Sequence, residues 1–251
     1  MNFHFGFLCN FLLFNVLENT APVGSKVGQS KKIILSSRTI AKQPIVKKLL
    51  SNYIWDIPNT ENKIYLTFDD GPTPEITEWV VQELEKHNAK ATFFCIGDNI
   101  EKHPEIVEKL IEKGHSLGNH TFNHLNGWKT STEEYLENSI KWSVVNGQSP
   151  NSQLKSANCH LFRPPYGKIK ASQAKKLRQI GYKIIMWDVL SADYDATISA
   201  EKCLENATKK VTSGSIIVFH DSVKAFPHLE YTLPKALNYY KEKGFVFEKL
   251  S

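Results

Sequence analysis

The chain has 251 residues, 41% apolar and 23% charged, with no long biased tract, which is a soluble globular composition. Its net charge of +5 is unevenly placed: residues 1–55 carry seven Lys/Arg against one Glu, and residues 56–251 carry 24 against 25 acidic groups. The folded part is therefore near neutral, which argues against a nucleic-acid groove.

Length fits one or two domains, and α/β barrels of roughly 250 residues are single domains. The four cysteines, Cys9, Cys95, Cys159 and Cys203, have neither CxxC nor finger-like spacing, so no zinc ribbon, thioredoxin site or disulfide framework is expected. Cys95 lies in an apolar strand pattern and Cys203 in a helix pattern, and both read as small core residues.

Residues 2–17 are apolar but interrupted by His4, Asn10 and Asn15, too short and polar for a membrane span. No Lys or Arg precedes Lys26, so the basic start of a secretory signal is missing, and Thr20-Ala21-Pro22 is a weak cleavage context. Residues 18–42 are polar and basic without sustained periodicity. The expected division is a poorly ordered extension over 1–42 and one folded domain over 43–251. Any membrane contact is expected only through the extension.

From Lys63 onward, apolar runs alternate with helical patterns. The predicted strands are 63–68, 91–96, 115–119, 160–163, 182–188, 214–220 and 245–249. The predicted helices lie near 75–87, 104–113, 131–146, 170–180, 199–211 and 233–243. Ser131 and Glu134 make a capping box, and Gly114, Gly181 and Gly244 close helices. Seven strands alternating with six helices predict a parallel sheet with βαβ crossovers. Residues 146–159 form a long polar loop.

The chemically interesting residues fall at strand C-termini. Asp69 and Asp70 end the first strand, His120 and His124 follow the third, and Arg163 to Tyr166 end the fourth. Asp188 and Asp193 follow the fifth, and His220 ends the sixth. In an α/β barrel that face carries the active site.

Adjacent strand residues point to opposite sides, so Asp69 and Asp70 have different roles unless the turn at Gly71-Pro72 reorients one. On one helical turn His120 and His124 project together, and with an Asp they make a His₂Asp metal set with an open fourth position. A water in that position is acidified toward neutral pH and becomes a nucleophile. One Asp suffices for the metal, and the other is placed as general base. Arg163, in Arg-Pro-Pro-Tyr-Gly, can orient that base through a bidentate contact. The prolines stiffen the loop and leave the Tyr166 N–H to aim at an oxyanion. His220 emerges from the apolar run Ile216-Ile217-Val218-Phe219 as a general acid, with Asp193 or Asp188 as its carboxylate partner. His87, His103, His115, His160 and His228 read as structural, and Phe93-Phe94 and Tyr239-Tyr240 as packing.

TFDDGP, HTFNH, RPPYG, WDVLSADYD and IIVFH occur in this order. Together they resemble the polysaccharide deacetylases of carbohydrate esterase family four, over residues 63–250. The resemblance implies a distorted (β/α) barrel of about seven parallel strands. It implies Asp69 as base, Asp70, His120 and His124 as ligands of a divalent metal, zinc first, and Arg163 orienting the base. It also implies the Tyr166 amide in the oxyanion hole and His220 as acid with Asp193 as its partner. The fourth motif usually reads Asp-x-x-Asp-Trp. Here Leu190 stands at its first Asp and Tyr194 replaces its Trp. Val218 stands where the fifth motif usually has Leu.

The implied reaction is hydrolysis of N-acetyl groups from N-acetylglucosamine glycans, peptidoglycan or chitin-like oligomers, by a monomer. Two other readings keep the same residues: hydrolysis of a non-glycan linear or cyclic amide, or a carbohydrate-binding pseudo-enzyme. A peptidoglycan substrate implies work in the cell envelope. The poor leader keeps the cytoplasm as the alternative.

Overall fold

The structure, a computed structural model, describes Lys47, residues 50–147 and residues 160–251, with side chains left out over 144–147. The extension over 1–42, Cys9, Cys159 and most of the 146–159 loop lie outside the described residues.

The described strands are β1 Lys63–Asp69, β2 Thr92–Cys95, β3 Ser116–Asn119, β4 Leu161–Phe162, β5 Lys183–Ile184, β6 Val189–Leu190, β7 Ile216–His220 and β8 Val246–Glu248. The helices are α1 Ile76–Lys86, α2 Gly97–Lys102, α3 Pro104–Glu112, α4 Thr132–Gly147, α5 Ala171–Gln179, α6 Ala200–Thr208 and α7 Phe226–Glu242. All strand pairings are parallel, in the order β5-β4-β3-β2-β1-β7-β6, with β8 beside the start of β1.

The predicted strand 182–188 is two short strands. β5 pairs with β4 at one end of the order and β6 pairs with β7 at the other. Only residues 185–188 separate them, so this run spans the gap between the two ends of the curled sheet, which do not pair with each other. That is the distortion of the barrel. Ile54 fills part of the gap, receiving the Met186 N–H and donating to the Ile184 carbonyl.

Two helical regions differ from expectation. α2, six residues long, lies where no helix is predicted. α7 begins at Phe226 rather than near 233, because Pro227 lies in its first turn, where a missing N–H costs no bond. Pro234 then lies inside the helix. Ser131 Oγ accepts the Glu134 N–H at 3.2 Å, as the capping motif predicts. Among the described residues, no helix is long and apolar enough to cross a membrane.

The strands sort their residues by parity. Leu66, Phe68, Phe93, Cys95, Ile217 and Phe219 join the core with the helices. Phe68 is in register with Phe93 and with Phe219, and its ring stacks on theirs at 5.1 and 5.8 Å. α1 closes over this layer with Ile76, Val80, Val81 and Leu84, a stripe at helical spacing. The alternate residues, Thr67, Asp69, Val218 and His220, face the other way, into the barrel. Asp69 and His220 are therefore direct neighbours across the β1–β7 ladder.

Candidate active site

The adjacent carboxylates Asp69 and Asp70 diverge. Asp69 ends β1 inside the barrel and is buried. Asp70 leaves the strand with φ 87°, a left-handed conformation costly for a residue with a Cβ. The chain turn sends the second carboxylate to a different set of partners.

Asp69 Oδ1 accepts from Arg163 Nη1 at 2.7 Å. The contact is single rather than the bidentate one expected. The rest of the guanidinium is committed elsewhere: Nη1 also donates to Thr67 Oγ1 at 2.7 Å, and Nη2 to the Met186 carbonyl at 3.1 Å. Its Cζ lies 4.1 Å from the Phe94 ring centroid. Arg163 is fully buried. Burial pulls its pKa down, and the Asp69 charge opposes that pull.

Asp70 Oδ1 lies 3.2 Å from His124 Nε2 and 3.7 Å from His120 Nε2. The three ligand atoms lie within 4.8 Å of one another. Two ligands at normal zinc distances around a tetrahedral ion sit about 3.3 Å apart. The donor set and its spacing therefore fit a divalent metal. His120 Nδ1–H donates to the Arg163 carbonyl at 2.8 Å, which fixes the ring and aims Nε2 at Asp70. Burial lowers the His120 pKa to about 4, which keeps the ring neutral as a ligand must be. Burial alone would raise the Asp70 pKa, but the His124 hydrogen bond and the surrounding histidines bring it down.

The two histidines do not share a helical turn, contrary to expectation. Residues 120–124 form an irregular turn with positive φ at Thr121 and His124. Side chains hold its backbone. Asn119 Oδ1 takes the Thr121 N–H, and Asn138 Oδ1 takes the N–H groups of Phe122 and Asn123. The Thr121 and Phe122 carbonyls accept from Gly97 and Asp98 at the start of α2. The two rings end 5.0 Å apart.

On the opposite side, His220 Nδ1 lies 2.7 Å from Asp193 Oδ1, and the His220 backbone N–H donates to Asp193 Oδ2 at 2.8 Å. Asp193 is fully buried. Burial opposes the charged imidazole, but Asp193, Asp70 and Asp69 together raise its pKa to about 9. Tyr194 meets the His220 ring edge-on at 4.9 Å. Asp188 is not at this face. It accepts from Ser215 Oγ and the Ile216 N–H at the opposite end of β7, where it braces the strand start.

Tyr166 has φ 60° and a half-exposed side chain whose ring packs 4.6 Å from His124. The hydrogen bonds of its turn run from Gly167 N–H to Pro164 O and from Lys168 N–H to Pro165 O, and neither uses the Tyr166 N–H. Among the described residues, five of the eight non-glycine positions with positive φ are Asp70, Thr121, His124, Tyr166 and Ala192, all at or beside this site. Strain gathered in this way marks function.

The family model for polysaccharide deacetylases matches residues 56–185. The chain belongs to the polysaccharide deacetylase family. A peptidoglycan-N-acetylglucosamine deacetylase of Bacillus cereus is 34% identical over 198 residues, 78% of this chain and 90% of the relative. A chitooligosaccharide deacetylase of Azorhizobium caulinodans is 32% identical over 66% of this chain and 76% of its own. The crystal structure of a peptidoglycan N-acetylglucosamine deacetylase superposes with a TM-score of 0.73 at 33% identity, covering 79% of this chain and 91% of that one.

All eight predicted site residues, Asp69, Asp70, His120, His124, Arg163, Tyr166, Asp193 and His220, converge on the C-terminal mouth of this deacetylase-family barrel. Behind them stand residues to which the sequence assigns no place in the site, His228 among them as a structural histidine. Asn99 Nδ2 donates to the Asp70 carbonyl at 2.8 Å, and His228 Nδ1 to the Asp193 carbonyl at 2.9 Å. Asp221, fully buried beside His220, accepts the Gly71 N–H. Its place immediately after His220 was the available signal.

Proposed function

We propose that this chain is a metal-dependent hydrolase that removes N-acetyl groups from N-acetylglucosamine glycans, with peptidoglycan its main substrate. The observation that carries it is the flanking of the Asp70–His120–His124 cluster by two separate proton-handling pairs, Asp69 with Arg163 and His220 with Asp193. An amide hydrolase needs both, one to accept a proton from water and one to give a proton to the departing nitrogen. The peptidoglycan substrate rests on the Bacillus relative and the solved deacetylase.

Asp70 with the Nε2 atoms of His120 and His124 would hold the ion, and their N/O donor set suits zinc. Bound there, zinc supplies the Lewis acidity that acidifies water and polarises the acetyl carbonyl.

Asp69 takes the proton of the attacking water. Arg163 keeps that carboxylate aimed and offsets its charge between turnovers. The Tyr166 N–H donates to the oxyanion as the carbonyl becomes tetrahedral. His220 Nε2–H protonates the sugar nitrogen as the C–N bond breaks, while Asp193 balances the imidazolium. The products are acetate and a free amine.

The test is acetate release by the full chain from peptidoglycan and from N-acetylglucosamine oligomers, with zinc, with chelator and with Asp69→Asn. Zinc-dependent acetate that is absent in the variant is expected. Zinc binding without acetate from either glycan would refute the reading. That result would favour hydrolysis of a non-glycan amide or a carbohydrate-binding role.

A further inference from the structure

We propose that Asp221 is a positioning residue that holds Asp69 and Asp70 in their divergent orientations, an inference that rests on the metal role given to Asp70. The loop from Asp69 to Thr73 must turn through a left-handed residue and stay there, because Asp70 at φ 87° relaxes unless its neighbours over-determine it. The hydrogen bonds of that loop fix it.

Three of these bonds come from the β2 side. The Asp70 N–H donates to the Phe94 carbonyl at 3.3 Å, the Gly71 carbonyl accepts from Ile96 at 2.9 Å, and the Asp70 carbonyl accepts from Asn99 at 2.8 Å. Three more lead to Asp221. Its backbone N–H donates to the Asp69 carbonyl at 3.1 Å, and its Oδ1 accepts the Gly71 N–H at 3.0 Å. Its Oδ2 accepts the Thr77 hydroxyl at 2.6 Å, and Thr77 Oγ1 in turn accepts the Thr73 N–H at 2.7 Å.

One buried carboxylate thus grips the loop on both sides of Pro72 and ties it to α1. The grip is close: a Cβ on Gly71 would lie 2.0 Å from Asp221 Oδ2. Glycine at this position admits the carboxylate as well as the turn. Asp221 also follows the acid His220 directly, so one peptide unit carries the acid and the brace of the metal-ligand loop.

Loss of the brace is expected to act on the metal first, since a ligand's supporting contacts typically carry 10–100-fold in affinity. Zinc dissociation constants are measured by chelator competition at one fixed pH for the wild-type chain, Asp221→Asn, Asp221→Ala and Thr77→Val. Asp221→Ala is expected to weaken zinc about 10–100-fold and to lower kcat even at saturating zinc. In Asp221→Asn the side-chain oxygen still accepts the Gly71 N–H, so zinc affinity is expected to return to within about threefold of wild type. Thr77→Val removes only the Oδ2 arm and falls between them.

A residue that served fold stability alone would lower the melting temperature without this ordering of zinc affinities. Asp221→Ala with wild-type zinc affinity and kcat would overturn the proposal. If that variant does not fold, Thr77→Val with unchanged zinc affinity overturns it equally. A wild-type chain that binds no zinc removes the metal reading and this proposal together, whereas wild-type binding with indifferent variants removes this proposal alone.

Discussion

Asp193 grips His220 twice, at the ring through Nδ1 and at the backbone through its N–H, with distances of 2.7 and 2.8 Å. The first contact directs the Nδ1 proton to the carboxylate and leaves Nε2 as the ring's other proton site. The second sets the strand end from which the ring projects. Because β1 and β7 are paired with Asp69 opposite His220, these two side chains are held by one ladder.

A pH dependence follows from this pair. The His220 pKa is raised to about 9, so the acid form is populated below that value and lost above it. The alkaline limb of kcat/KM is assigned to this loss. Asp193→Asn removes the leading cause of the raised value and leaves burial, which acts the other way. The limb is expected to move to lower pH, with kcat at pH 7 reduced by about 10²-fold or more. Stability carries the same sign. A raised histidine pKa stabilises the fold fully below about 6.5, and the gain is lost as pH rises through about 9. The variant's deficit in melting temperature should be largest near pH 6 and smallest near pH 10. An unmoved limb would take Asp193 out of this role.

Arg163 offers a test of orientation separate from charge. Lysine keeps the cation but presents one nitrogen where arginine reaches Asp69, Thr67 and Met186 at once. Arg163→Lys is expected to lower kcat by about 10²-fold, within the range carried by a general base. Zinc affinity should survive, since the contact to His120 is made by the residue-163 carbonyl, which the substitution keeps. Metal content by mass spectrometry and steady-state kinetics on the same preparation separate the two effects. A loss of zinc equal to the loss of turnover would mean that Arg163 shapes the ligands rather than the base.

The barrel class and the gathering of the eight candidate residues at one end of it were legible in the sequence because apolar runs end in polar groups and all those ends share one face. What escaped depends on backbone conformation. The strand over 182–188 splits because its two halves pair at opposite ends of the sheet, and a change of partner leaves no periodic mark. The His120–His124 turn reads as helical from its spacing, yet Asn119 and Asn138 hold it in a shape that no helix has. Asp188 and Asp193 look equivalent on one strand end. They separate only when β7 is placed beside β6, with Ser215 at its start and His220 at its finish.

Gly118 gives a prediction that links packing to the site. It lies in β3, and a Cβ there would meet Phe94 Cδ1 at 2.2 Å. The Phe94 ring is also the surface on which the Arg163 guanidinium rests. Gly118→Ala must push that ring, and overpacking of this kind costs about 1–3 kcal/mol. Urea unfolding should show that loss, and kcat should fall as Arg163 is displaced. Adding Phe94→Leu to the same chain opens the space and should return part of the stability. If Gly118→Ala is neutral in both measurements, the Phe94 ring has room that the packing does not show.

The division of labour between the adjacent carboxylates can be read from metal-induced stabilisation without any substrate. A ligand that binds only the folded chain at 100 times its dissociation constant adds about 2.7 kcal/mol. The wild-type melting temperature should therefore rise with zinc and return with chelator. His120→Ala and His124→Ala each remove one of three ligand atoms and should lose most of that rise, as should Asp70→Asn. Asp69→Asn should keep it, because Asp69 is committed to Arg163 and lies outside the ligand cluster. Its turnover should still fall by about 10²–10⁴-fold, since the amide has no basic oxygen for a proton. A zinc response lost in Asp69→Asn but kept in Asp70→Asn would exchange the two roles. The left-handed turn at Asp70 would then need another explanation.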